Sequence, residues 1–146
     1  MRMIRRILGF AAIAALLAAC GGGSGDLDVS LFEWEVEPSA TSVSAGEVTF
    51  NATNDGGEAH ELVIVKGVAP ADLPVDADGK VIEDDLPDGA FIGEIEEFDA
   101  GTTESATFDL EAGTYTIFCN ITEEESDGSV ESHYQNGMVA TIEVTG

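Results

Sequence analysis

Apolar side chains along this sequence recur at every second position rather than every third or fourth, the spacing of strands with one buried face. Within residues 30–36, Phe32, Trp34 and Val36 alternate with Glu33 and Glu35. Val48, Phe50 and Ala52 repeat the pattern, as do Ala106, Phe108 and Leu110 with Ser105, Thr107 and Asp109 facing the other way. Each run predicts a half-buried strand, because successive side chains of a pleated strand point to opposite sides. Leu62, Val63, Ile64 and Val65 form an unbroken apolar run, as expected of a central strand. Tyr115, Ile117 and Cys119 share one face of another strand, and Met138, Ala140, Ile142 and Val144 share one face of the last. Between the runs stand turn formers: Asn54-Asp55-Gly56-Gly57, Ala100-Gly101, Ala112-Gly113 and Asn136-Gly137. Short strands punctuated in this way predict an all-β fold, a Greek-key β-sandwich or small barrel.

Residues 67–98 break the pattern. They hold Pro70, Pro74, Pro87 and a dense set of acids, and they predict a long crossover with little regular structure that ends in a short edge strand over residues 90–95. Asp76-Ala77-Asp78-Gly79 has the look of a calcium loop, yet it lacks the glycine at position 6 and the glutamate at position 12 that an EF-hand requires. A solvated acidic loop is the expectation.

Charge divides the chain into two unlike parts. Of 5 Lys+Arg against 29 Asp+Glu, all three arginines (Arg2, Arg5, Arg6) fall in the first six residues, and no acid precedes residue 20. A basic start followed by an apolar run over residues 7–19 fits a secretory signal and is short for a spanning helix. Leu17-Ala18-Ala19-Cys20, followed by Gly21-Gly22-Gly23-Ser24-Gly25, resembles the lipobox of bacterial and archaeal lipoproteins. That resemblance implies cleavage before Cys20, lipidation of Cys20 and extracytoplasmic anchoring to the membrane. The expected organisation is a signal peptide over 1–19, lipidated cysteine and flexible tether over 20–26, and one domain over 27–146. After cleavage only Lys66 and Lys80 oppose the 29 acids, which excludes nucleic-acid binding.

Candidate chemistry comes from the scarcity of soft ligands. With Met1 and Met3 removed and Cys20 acylated, the remaining imidazoles, thiol and thioether are His60, Cys119, His133 and Met138. Two histidines, one cysteine and one weak axial methionine are the ligand set of a blue-copper electron-transfer site. In an antiparallel sandwich the turns collect at the two ends. His60 opens a strand, Cys119 ends one, Met138 opens the next, and His133 lies in the connection, so all four can meet at one pole. Enzyme chemistry is poorly served: two imidazoles provide no Ser/His/Asp arrangement, and neither a phosphate loop nor a Cys-x2-Cys zinc spacing occurs. A disulfide between Cys20 and Cys119 conflicts with lipidation of Cys20.

These residues resemble the cupredoxins, or type 1 copper proteins, with plastocyanin-like members the nearest in look. The likeness runs through residues 27–36, Glu47-Val48-Thr49-Phe50, Ala59-His60-Glu61-Leu62-Val63, residues 113–121 and His133-Tyr134-Gln135-Asn136-Gly137-Met138. It implies one copper per chain, with His60, Cys119 and His133 as equatorial ligands and Met138 as the axial one. It also implies electron transport between a redox donor and acceptor, such as a cytochrome or a membrane oxidase or reductase, and no enzyme activity. The chain departs from the family in two places. Thirteen residues separate Cys119 from His133 where relatives keep only a few, and a hairpin is the expected way to return His133 to the cysteine. Glu61 stands where many relatives have an asparagine that braces the site, so bracing is expected from Asn54 or Asn120. Rival functions are copper storage, delivery or sensing, and a copper-free β-sandwich lipoprotein. Because the acids spread along the whole of the chain that follows the expected cleavage site, their first reading is adaptation to a saline environment. An acidic face confined to one region would instead indicate steering of a basic partner.

Overall fold

In a computed structural model that describes residues 25–146, eleven strands form two facing sheets and a small hairpin. The expected signal peptide, Cys20 and the tether up to residue 24 lie outside the described residues. The first sheet has the order β2-β1-β4-β7, built from β1 (Gly25–Phe32), β2 (Glu35–Pro38), β4 (Gly46–Asn54) and β7 (Thr103–Leu110). The second has the order β3-β11-β8-β5-β6, from β3 (Ser42–Ser44), β5 (His60–Lys66), β6 (Phe91–Phe98), β8 (Gly113–Phe118) and β11 (Val139–Thr145). Both sheets are mixed: β1 runs parallel to β4 and β3 parallel to β11, and the other pairs are antiparallel. The chain is an all-β sandwich, as the period-2 pattern predicts.

The alternating faces fill the space between the sheets. Leu27, Val29, Leu31, Val48, Phe50 and Ala52 from the first sheet meet Leu62, Ile64, Tyr115, Ile117, Ile142 and Val144 from the second. Each such burial contributes about 1.5–3 kcal/mol for a large apolar side chain. The pattern over residues 30–36 needs correction. That stretch is not one strand: β1 begins at Gly25, two residues before the expected domain boundary, the chain turns at Glu33 and Trp34, and β2 follows. Its buried face is Leu27, Val29 and Leu31, with Val36 on β2, while Phe32 and Trp34 are only half-buried.

The crossover is more than a solvated loop. It forms two short 3-10 turns, Pro70–Asp72 and Glu83–Asp85, and the edge strand β6, which extends to Phe98. Its Leu73, Val81 and Ala90 pack on Val63, Val65 and Phe118, forming a second core on the outer face of β5 and β8. The outer cover explains why Leu62 to Val65 is apolar without alternation. At Asp76 the carboxylate accepts from the backbone N–H of Asp78 and of Lys80, each at 2.9 Å, so that acid closes its own turn.

Candidate metal centre

The four singled-out residues sit at one end of the second sheet, each placed by a different local device. His60 is the first residue of β5, and the loop before it is held by Asn54. The Asn54 amide donates to the carbonyls of Glu58 (2.7 Å) and Phe98 (3.2 Å), and its oxygen accepts from the N–H of Gly56 (3.1 Å). A register shift between His60 and Leu62 against β6 marks a bulge, a feature that re-aims side chains at sheet ends. Cys119 follows β8 directly and donates its N–H to the carbonyl of Met138 at 3.1 Å, extending the β8–β11 ladder and fixing these two residues side by side.

The residues between Cys119 and His133 form the expected hairpin, β9 (Thr122–Glu124) paired with β10 (Val130–Ser132). The return is secured when the N–H of His133 donates to the carbonyl of Ile121 at 3.0 Å. A single helical turn, α1 (His133–Asn136), then carries the chain to Met138. Ser132 caps it by accepting from the N–H of Gln135, and the N–H of Met138 donates back to the carbonyl of His133 at 3.0 Å. Gly137 ends the turn at φ +123°, and a Cβ there would lie 2.8 Å from the backbone oxygen of Trp34.

His60, Cys119, His133 and Met138 are all fully buried. Nδ1 of His60 lies 3.2 Å from Nδ1 of His133, and the Cys119 Sγ lies 4.0 Å from the first and 3.4 Å from the second. A point equidistant from these three atoms is about 2.1 Å from each, within the roughly 2.0–2.3 Å span of metal–nitrogen and metal–sulfur bonds. Burial pushes both imidazoles below their ordinary value, each ring opposed by nearby carboxylates, and pushes the Cys119 thiol up to about 12. The metal-free donor set is therefore neutral, and a cation entering it gains a thiolate by releasing one proton. Two imidazole nitrogens and a sulfur suit a borderline or soft transition metal and not calcium or magnesium.

The surroundings include residues whose part in the site the sequence alone does not reveal. Glu61, expected to leave the bracing to other residues, supplies it. Its N–H donates to Cys119 Sγ at 3.5 Å, and its carboxylate accepts from the N–H of Asn120 at 3.0 Å, tying β5 to the chain just past Cys119. Burial first, and then the charge of Glu94, push the Glu61 carboxyl up to about 7. Asn54 and Asn120 do brace as well. The Asn120 side chain accepts from the N–H of Val81 (2.6 Å) and donates to the carbonyl of Val81 (3.0 Å) and to Glu83 (3.1 Å), pinning the crossover to the site.

Over the outer side of the histidines lie Glu33, Trp34 and Glu58. The Trp34 ring packs edge-on against His133, with centroids 5.4 Å apart. Nε2 of His60 faces Glu33 at 3.4 Å, and Nε2 of His133 faces Glu58 at 3.6 Å. Glu58 and Glu131 also bring carboxylate oxygens within 4.8 Å of the His133 ring nitrogen. No local pattern marks any of these acids among the 29 of the chain.

No family model and no curated protein matches this chain. Solved structures do. An auracyanin from the photosynthetic bacterium Roseiflexus castenholzii is 22% identical, with a TM-score of 0.61, over 86% of this chain and 100% of that one. Auracyanin A from Chloroflexus aurantiacus, described as a "blue" copper protein, is 21% identical with a TM-score of 0.55 over 84% of this chain and 100% of its own. Rusticyanin from Thiobacillus ferrooxidans is 18% identical, with a TM-score of 0.54, over 84% of this chain and 79% of that one. At these identities the likeness shows the fold: the chain has the cupredoxin fold.

Proposed function

We propose that this chain is a type 1 copper protein that carries single electrons between extracytoplasmic redox partners, tethered to the membrane through lipidated Cys20. The observation that carries the reading is the buried triangle of His60 Nδ1, His133 Nδ1 and Cys119 Sγ, whose sides of 3.2, 3.4 and 4.0 Å suit one metal ion. Met138, buried and joined through its carbonyl to the N–H of Cys119, would supply a thioether to the same metal. Copper, when bound, supplies a one-electron Cu(I)/Cu(II) couple and an intense thiolate-to-metal absorption. The protein's part is to hold the donors still. His60 and Cys119 are fixed by neighbouring strands, and His133 and Met138 by one helical turn hydrogen-bonded at both ends, so a change of metal charge meets a rigid cage.

The acids near the site support a basic partner. Burial first, and then the charges of Glu123, Glu131, Glu33 and Glu125, raise the Glu58 carboxyl, so the end of the molecule that carries the histidines is acidic. Such a rim attracts a cationic docking face and speeds encounter at low salt.

The test is the visible spectrum after one equivalent of Cu(II), and again after ascorbate. An intense blue band that bleaches, returns on reoxidation and is absent in Cys119→Ser is the expected result. Tight copper binding without that band would favour storage or delivery, and no binding would leave a copper-free β-sandwich. The tether is tested separately by lipid labelling of the full chain in cells. Incorporation abolished by Cys20→Ser is expected, and equal labelling of both forms would overturn it.

A further inference from the structure

Glu33 occupies the turn between β1 and β2, remote in sequence from all four candidate ligands. Its Oε1 accepts from the N–H of Gly57 at 2.6 Å and from the N–H of Glu58 at 3.0 Å, and lies 3.4 Å from Nε2 of His60. Two backbone donors on one oxygen are the partners of an ionised carboxylate. The space between carboxylate and ring is kept open by Gly56. A Cβ at that position would overlap Glu33 Oε1 and stand 2.9 Å from His60 Nε2. The ring is fully buried, and its Nε2 has no hydrogen-bond partner.

We propose that Glu33 is a positioning residue for the metal centre, holding His60 as the tautomer with its proton on Nε2 and setting a fixed negative charge behind the ring. A neutral imidazole offers one donor and one acceptor. A lone pair on Nε2 would face an anionic oxygen and be repelled, whereas a proton there is attracted. The proton therefore stays on the outer nitrogen, and the lone pair of Nδ1 points at Cys119 Sγ and His133. This is the carboxylate–histidine–metal arrangement, which fixes ring orientation and raises ligand basicity. The charge also discriminates between oxidation states, because it interacts more favourably with the centre carrying one more positive charge. Glu33 thus favours Cu(II) over Cu(I) and lowers the reduction potential, a consequence that rests on the copper reading above.

Two measurements on the full chain separate the parts. In the metal-free protein, nitrogen-15 shifts of the His60 ring report the tautomer without any metal. The wild type should show Nε2 protonated and Nδ1 bare, and Glu33→Ala should give a mixed population. In the copper-loaded protein, Glu33→Gln keeps an acceptor for Gly57 and Glu58 while removing the charge. It should shift the Cu(II)/Cu(I) preference at least tenfold toward Cu(I), a rise of about 59 mV or more. Glu37→Gln, which removes an exposed charge from β2, should shift it far less. Gly56→Ala forces carboxylate and ring apart and should reproduce both effects; it serves as the second variant if Glu33→Ala does not fold. An unchanged tautomer in Glu33→Ala and Gly56→Ala would overturn the positioning role, and equal potentials for Glu33→Gln and Glu37→Gln would overturn the charge role. A wild type that binds no copper would defeat the proposed function, while the tautomer measurement would still decide the role of Glu33.

Discussion

Glu61→Gln should remove from the metal-free protein a loss of stability that sets in as pH rises from 4.5 to about 7. Glu61 is largely buried, and its carboxyl is pushed up to about 7 from an ordinary 4.5 by burial and by Glu94. The folded state therefore holds a proton that the unfolded chain releases earlier, and stability falls as pH rises from 4.5 to 7. At about 1.36 kcal/mol per pH unit the full gap is worth about 3 kcal/mol, and the remaining solvent contact of Glu61 trims this to about 2–3 kcal/mol. His60 and His133 act in the opposite direction. Their imidazoles are held below 6.5, so the cost of keeping them neutral is felt in acid and disappears as pH rises toward 6.5. The wild-type profile mixes these opposing slopes, and the difference between wild type and Glu61→Gln isolates the carboxyl. Glutamine keeps the oxygen that accepts from the N–H of Asn120, so packing is nearly preserved. Urea unfolding under reducing, metal-free conditions at pH 4.5, 5.5, 6.5 and 7.5 is the assay. The variant should gain about 2–3 kcal/mol on the wild type across that range. Parallel profiles would refute the reasoning, since they would mean that Glu61 ionises in the folded protein as it does in the unfolded chain.

Other perturbations test neighbouring parts of the structure. Asn120→Ala removes three hydrogen bonds to the crossover and strands the buried N–H of Val81, so urea unfolding should show a loss of about 2–3 kcal/mol. Gly93→Ala must place a Cβ 2.5 Å from the Phe108 ring at φ +154°, and should cost about 2 kcal/mol or more in the same assay. Reduction of the copper-loaded protein by a basic cytochrome should slow about tenfold or more between roughly 0.01 and 0.15 M salt, as the screening length shrinks. A flat salt profile would return the acids to the role of saline adaptation.

How much of this was legible in the sequence depends on the range of the interactions involved. The strands over Phe50, Phe108, Ile117 and Ile142 announce themselves because alternation is a local consequence of burying one face. The ligand candidates were legible for a different reason: so few histidines, cysteines and methionines remain that their order along the chain carries information even without contacts. The outer core was half visible. The unbroken run Leu62 to Val65 requires a cover, but the cover consists of Leu73, Val81 and Ala90, scattered singly through an acidic, proline-bearing segment without period.

The β1–β2 turn is hidden in the sequence because its residues obey no turn rule. Phe32-Glu33-Trp34-Glu35-Val36 has the alternation of a strand and no glycine, proline or asparagine, yet the chain reverses there with Trp34 at φ +71°. A bulky side chain in that region is strained by about 1–3 kcal/mol and persists only when its surroundings over-determine it. Those surroundings are the histidines, since Glu33 faces His60 and the Trp34 ring lies against His133. The two residues that break the local pattern therefore lie, with Glu58, over the outer side of the candidate metal centre. Propensity yields to tertiary contact at this turn because side chains that suited the turn better would leave both rings uncovered.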